Sequence, residues 1–310
     1  MRILFWGTPD FGLPSLEALR TAGHDLVGVV TNPDRPAGRG RKLRASPVKR
    51  WAERAGVSVL QPETPRGDEF EAAVRRLDPE LSVVAAYGRI LRDEILALPP
   101  LGSINVHASL LPHLRGAAPV TWAIIRGDEE SGVTIMRMVR ELDAGPMLAR
   151  ASVPLGPQTT AGELYERLSR LGGETLVPVV EDLARGAAVE TPQDEALATY
   201  APKLDRDTAR LDWSLPAAEV GRWMRGCDPW PGAWSRLDEL TIQCFRPSVE
   251  PLDDEAEPGT VLEADPRDGL LVAAGSGAVR VGEVRPAGSR RMEAAAWIRG
   301  HGRLDGERLV

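Results

Sequence analysis

With 310 residues, 43% of them hydrophobic and 27% charged, the chain has the make-up of a globular protein of about two domains. Two cysteines, Cys227 and Cys244, are too few for a disulfide framework or a cysteine-built zinc site, and no apolar run approaches the roughly 18 residues of a membrane span. The net charge of −7 argues against indiscriminate nucleic-acid binding, and a start that leads straight into a strand, with no cationic and apolar leader, reads as a cytoplasmic protein.

Residues 2–7 form the first predicted strand, followed by a helix over about 10–23 and a buried strand over 26–31. The turn between them, Gly7-Thr8-Pro9-Asp10-Phe11-Gly12, stands where a dinucleotide-binding turn would. Its glycine spacing is not Gly-x-Gly-x-x-Gly, and Pro9 lacks an N–H that would cradle a pyrophosphate, so a dinucleotide dehydrogenase is only the weaker alternative. Residues 35–50 then carry seven cations (Arg35, Arg39, Arg41, Lys42, Arg44, Lys49, Arg50) and no acid. A concentrated basic loop on an acidic body is the pattern of a protein that touches a polyanion at one place. A helix over 47–55, a short strand over 58–60, a helix over 68–77, a buried strand over 81–86 and a short helix over 93–97 follow.

Residues 102–112, Gly-Ser-Ile-Asn-Val-His-Ala-Ser-Leu-Leu-Pro, organise the rest. Ile104 and Val106 alternate with Ser103, Asn105 and His107, the period of a strand, so Asn105 and His107 share one face, one pleat apart. Pro112 stops further pairing, and both polar residues fall where the strand runs out, the place where an open α/β sheet binds ligands. The neighbouring strand ends in Tyr87-Gly88-Arg89-Ile90-Leu91, and together the two loops can form a pocket for a flat, partly apolar ligand. A helix over 119–126 and a hairpin of 132–138 with 147–154 complete the first half, which reads as a doubly wound, mostly parallel Rossmann-like α/β sheet with the hairpin at its edge.

Helices over 161–170 and 174–185 lead to a stretch rich in Gly, Pro, Thr and charge. The domains expected are 1–185, a linker 186–206, and 207–310. The last opens with a helix over 216–225 and continues as five short strands (233–237, 240–245, 259–263, 269–273, 278–284), a small β-barrel of oligonucleotide-binding type. The acidic segment 250–257 is expected to be a mobile hairpin, and Trp213, Trp223, Trp230 and Trp234 are expected in the barrel core.

Asn105-x-His107 followed by Ser109-Leu110-Leu111-Pro112, with Leu142-Asp143-Ala144-Gly145 further on, resembles the folate-dependent formyltransferases. Gly7-Thr8-Pro9-Asp10-Phe11, Asp34-Arg35-Pro36-Ala37-Gly38-Arg39-Gly40, Arg115-Gly116-Ala117-Ala118-Pro119 and Pro229-Trp230-Pro231 are similar to the branch of that family that acts on methionyl-tRNA. The resemblance runs through nearly the whole chain in one order. It implies 10-formyltetrahydrofolate as formyl donor, the α-amino group of methionyl-initiator tRNA as acceptor, no metal, and a monomer. It implies catalytic roles for Asn105, His107 and Asp143 around a tetrahedral intermediate, folate contacts from Ser109, Leu110, Leu111, Pro112, Ile90 and Leu91, and tRNA contacts from the basic loop through Arg39, Arg41 and Lys42. The C-terminal barrel would supply the remaining tRNA surface. Residue types agree with the chemistry: Asn105 can donate to an oxyanion, His107 can move a proton, and Asp143 can orient the imidazole. A formyltransferase for a nucleotide sugar or glycinamide ribonucleotide would keep these three residues but lack the basic insertion and the barrel.

Overall fold

Strand β1 (Arg2–Gly7) lies in the interior of a seven-stranded sheet, where Ile3, Leu4 and Phe5 are wholly buried. The computed structural model describes residues 1–37, 42–252, 256–301 and 304–310. Contacts divide the chain into two units, one of residues 1–119, 130–154 and 165–201, the other of 120–129, 155–164 and 202–310.

In the first unit β1 is followed by β2 (Asp25–Val30), the small pair β3 (Arg35–Ala37) and β4 (Lys42–Arg44), β5 (Val59–Leu60), β6 (Leu81–Ala85), β7 (Ser103–His107), β8 (Arg115–Gly116), β9 (Glu130–Arg137), β10 (Met147–Pro154) and β11 (Tyr200–Ala201). The large sheet has the order β10-β9-β7-β6-β1-β2-β5. Its β5, β2, β1, β6 and β7 are parallel, while β9 and β10 join antiparallel beyond β7. The chain winds outward from β1 in both directions, the doubly wound, mostly parallel arrangement implied by alternating strands and helices, with the hairpin at its edge.

Helices α1 (Leu13–Thr21), α2 (Pro47–Ala55), α3 (Asp68–Leu77) and α4 (Asp93–Leu96) connect the parallel strands. The limits of α2 follow from its residues. Ser46 accepts a hydrogen bond from the Lys49 N–H, Pro47 fills the first turn, and Gly56 ends the helix in the left-handed conformation. Trp6 is 1% exposed. It donates to Ser82 Oγ at 3.1 Å and stands edge-on to Tyr87, with 5.4 Å between ring centroids.

After α5 (Pro119–Arg126), one correction concerns α6 (Ala161–Arg185), a single helix where two were expected. Gly172 and Gly173 do not break it. They are places of close approach: a Cβ on Gly172 would lie 2.7 Å from Val106 Cγ1, and one on Gly173 2.9 Å from the Pro14 carbonyl oxygen. Helix propensity loses here to packing.

The second unit contains α7 (Ala217–Gly226), β12 (Trp234–Leu237), β13 (Leu240–Glu250), β14 (Val261–Asp265), β15 (Gly269–Ala273), β16 (Ala278–Pro286), β17 (Met292–Glu293) and α8 (Ala294–His301). The strands form an antiparallel sheet of order β12-β13-β16-β15-β14, with β17 on β16. The C-terminal tail touches both edges: Leu309 bridges Leu237 at the end of β12, and Arg308 bridges Thr260 just before β14. All five expected strands are present, curled into a half-barrel whose edges the tail spans.

Trp213 is a core residue that donates to Ser235 Oγ at 3.0 Å. Trp230 is not. It is 66% exposed, in a turn between Pro229 and Pro231, whose rings keep it out of helix and strand. Of the acidic segment, Glu250 belongs to β13 and pairs with Arg280, while 253–255 lie outside the described residues.

Cys227 and Cys244 are buried, and burial pushes both thiols up to about 12. Neither should react with Ellman's reagent at pH 8 in the folded protein, and both should react in denaturant; native reaction of either thiol would contradict this. Their contribution to stability is whole below the unfolded thiol value of about 8.5. It declines above that pH, because the unfolded chain releases protons that the folded one retains.

Candidate active site

Asn105 and His107 project from one face at the carboxyl end of β7, as their spacing indicates. Asn105 pairs with Val84 of β6 on one side and Met136 of β9 on the other. Val84 belongs to an apolar cluster with Trp6, Tyr87 and Leu91, and Met136 to one with Leu111 and Met147. A polar carboxamide thus stands between two apolar walls, and among the described residues it makes no hydrogen bond.

His107 is 5% exposed. Its Nε2 donates to the Leu114 carbonyl at 3.0 Å; a carbonyl only accepts, so Nε2 carries the hydrogen. Nδ1 lies 3.7 Å from Asp143 Oδ2. That separation is too long for a direct hydrogen bond and leaves both atoms able to face a third group. Asp143 Oδ2 also accepts the Gly116 N–H at 2.8 Å, and Asp143 itself adopts a left-handed backbone with φ 50°. Asn105, His107 and Asp143, 38 positions apart at their extremes, are therefore brought to one place.

The turn after β7 is internally bonded. Ser109 Oγ donates to the His113 carbonyl at 2.6 Å. Thr134 Oγ1 donates to the Ser109 carbonyl at 2.7 Å and accepts the Leu111 N–H at 3.0 Å. Leu111 and Pro112 are buried and joined by a cis peptide, and Leu110 packs over Gly132. On the neighbouring loop Leu91 is buried and Ile90 is 85% exposed. The first turn offers no open cradle: the Phe11 N–H donates to Tyr165 Oη at 3.0 Å, and that hydroxyl donates to Asp10 Oδ1 at 2.8 Å.

Arg39 and Arg41 lie outside the described residues, and Lys42 begins β4. Two other cations of the loop are occupied locally. Lys49 Nζ is 2.7 Å from Asp34 Oδ2, and Arg50 donates to the Ala45 carbonyl at 2.6 Å. Lys49, with Gln61, holds the Asp34 carboxyl below the ordinary carboxylate range. Among the described residues no group of three or more His, Cys, Asp or Glu side chains is gathered as a metal ion would need, and no helix is long and apolar enough to cross a membrane.

Residues 187–201 run against the loops that carry the site, which the sequence does not disclose. Thr191 bridges Met147, and β11 pairs with β8. Thr199 Oγ1 accepts the Leu114 N–H at 2.9 Å, and its carbonyl accepts the Arg115 N–H at 2.8 Å. Arg115, 2% exposed, reaches Gln193 and Glu195 with its guanidinium, and Glu195 keeps its charge above the ordinary arginine range. Arg115 opens the Arg115-Gly116-Ala117-Ala118-Pro119 motif; nothing in the sequence marks Gln193.

Residues 1–180 match the formyl transferase family and residues 203–302 the formyl transferase C-terminal domain. The chain is 47% identical to the methionyl-tRNA formyltransferase of Desulfotalea psychrophila over 300 residues, 97% of this chain and 93% of that one. It is also 47% identical to that of Symbiobacterium thermophilum over 310 residues, covering 100% and 95%. The chain belongs to the methionyl-tRNA formyltransferase family. Like the other members of the methionyl-tRNA formyltransferase family, it is a formyl-transferring enzyme. Among solved structures its fold is similar to that of the methionyl-tRNA formyltransferase from Clostridium thermocellum (TM-score 0.58, 14% identity, 80% of this chain and 93% of that one). It is also similar in fold to HypX from Aquifex aeolicus in complex with tetrahydrofolic acid (TM-score 0.68, 21% identity), where it covers 96% of its own length and 47% of the larger chain. The chain thus spans about half the length of HypX.

Proposed function

We propose that this enzyme transfers the formyl group of 10-formyltetrahydrofolate to the α-amino group of methionyl-initiator tRNA, a step of translation initiation, with Asn105, His107 and Asp143 at the reacting atoms. The observation that carries this reading is the Asn105 carboxamide, unengaged among the described residues, beside a histidine whose Nδ1 faces Asp143. The residues suit such a donor: Leu91, Leu111 and Met136 offer apolar walls, with a hydrogen-bond donor between them. Ser109, Leu110, Leu111 and Pro112, with Ile90 and Leu91, would line the folate side. The donor would supply a formyl carbon open to attack by an amine. Asn105 then donates its N–H groups to the oxygen on which charge develops. With Nε2–H committed to Leu114, His107 presents the Nδ1 lone pair as base for the amine proton. Asp143, beside Nδ1, stabilises the imidazolium that results, and His107 would return that proton to the donor's N10 as the bond between N10 and the formyl carbon breaks and tetrahydrofolate leaves.

Residues 1–185 would carry the chemistry, 186–206 would serve as linker, and 207–310 would bind tRNA with Arg39, Arg41 and Lys42 of the basic loop, the enzyme acting as a cytoplasmic monomer. Arg39→Ala should raise KM for the aminoacyl-tRNA and make its salt dependence shallower while folate binding is unchanged. Kinetics across a salt series check this, and identical slopes would remove Arg39 from the interface. The whole reading is tested by following formyl transfer from 10-formyltetrahydrofolate to initiator and elongator methionyl-tRNA in parallel. Transfer to the initiator is expected. Folate turnover that ignores both tRNAs would overturn the acceptor.

A further inference from the structure

We infer that Gln193 is a positioning residue that holds the Asp143 loop in register with His107, an inference that rests on the roles just proposed for these two. Residues 139–142, immediately before Asp143, are all exposed. Asp143 then takes a left-handed backbone, a minority conformation even for aspartate, and bonds from outside the loop hold it there. Its carboxylate is held by the Gly116 N–H. Its carbonyl accepts Gln193 Nε2 at 2.7 Å, and the same nitrogen donates to the Gly145 carbonyl at 2.8 Å. Gln193 Oε1 in turn accepts Arg115 Nε at 3.1 Å and Nη2 at 2.8 Å.

Every hydrogen-bonding position of this carboxamide is used: two donors on the Asp143 loop, two acceptor sites on a buried arginine. The guanidinium only donates and the two carbonyls only accept, so the amide orientation is determined. Arg115 is itself fastened through Glu195 and through the pairing of β8 with β11. The Asp143 loop is thus tied by its backbone to an anchored cation, through a residue 50 positions downstream.

Gln193→Glu separates anchoring from positioning. A glutamate still accepts from Arg115 but cannot donate to the Asp143 and Gly145 carbonyls. We expect kcat to fall about tenfold to a hundredfold, as small misplacements of catalytic groups do, with KM for donor and tRNA within about twofold. In an Asp143→Asn background the same change should alter kcat by less than about twofold, because residues acting through one another are not additive. Hydrogen exchange of the peptide 139–147 should quicken while Tm falls by no more than a few degrees. Equal losses in both backgrounds, an unchanged kcat, or unchanged exchange in 139–147 would each overturn the inference. Absence of formyl transfer to methionyl-tRNA by the unmodified enzyme would instead overturn the reading beneath it, and the exchange result would still decide whether Gln193 holds the loop.

Discussion

Asn105→Ala should lower kcat by about two to three orders of magnitude, the usual cost of removing one donor from an oxyanion site. Asn105 has no structural duty that would explain such a loss. Its carboxamide bonds to nothing among the described residues, and its strand is secured through backbone pairing with Val84 and Met136. Tm should therefore change little, and KM for the folate should remain within a few-fold, since the interaction gains its strength as charge develops rather than on binding. Asn105→Asp is the sharper control. It preserves size and position but offers only acceptors at neutral pH, so it should be at least as impaired as the alanine variant. Steady-state kinetics of both variants provide the check, and an aspartate variant near wild-type kcat would remove the donor role from Asn105.

Much of this site can be read from short-range pattern. Asn105 and His107 are neighbours because a strand repeats every two residues; Pro112 bars the strand from running on, although β7 already ends at His107. Asp143 has no such local signal. A loop aspartate 36 residues away acquires meaning only from the resemblance, and its left-handed backbone appears only in three dimensions. Gln193 is further still from view. Its partners on the Asp143 side are main-chain carbonyls, which every residue possesses, so no side-chain type elsewhere announces the contact. The error at α6 has a related origin. Paired glycines usually end helices, but Gly172 and Gly173 instead admit Val106 and Pro14, and only the packed structure separates a break from a close approach. Trp230 shows the opposite bias, since an aromatic ring near a barrel suggests core until the flanking prolines place it in a surface turn. Regular elements with strong periodicity, such as α2, agreed to the residue because their caps are local.

Gly145→Ala should damage stability and turnover together. The fourth residue of Leu142-Asp143-Ala144-Gly145 passes over the end of β9 so closely that a Cβ would lie 2.0 Å from the Arg137 carbonyl oxygen and 2.9 Å from its carbon. Both are backbone atoms, so no side-chain rotation relieves the overlap. The loop cannot simply lift away, because the Arg137 N–H donates to the Pro146 carbonyl at 2.9 Å and Gln193 holds the Gly145 carbonyl. Overpacking of this sort costs about 1–3 kcal/mol, and the loss of these bonds adds to it. Whatever displacement relieves the clash is passed to Asp143 two residues earlier, away from His107 Nδ1, and kcat should fall by about tenfold or more. Gly300→Ala, in α8 where a Cβ meets nothing within 4 Å among the described residues, is the matched control and should leave both quantities unharmed or add up to about 1 kcal/mol through helix propensity. Urea unfolding and kcat measured on the same preparations distinguish the cases. A Gly145→Ala enzyme with native midpoint and native kcat would mean that the loop yields without moving Asp143, and that the site tolerates more freedom in its acid than the tightness of this turn implies.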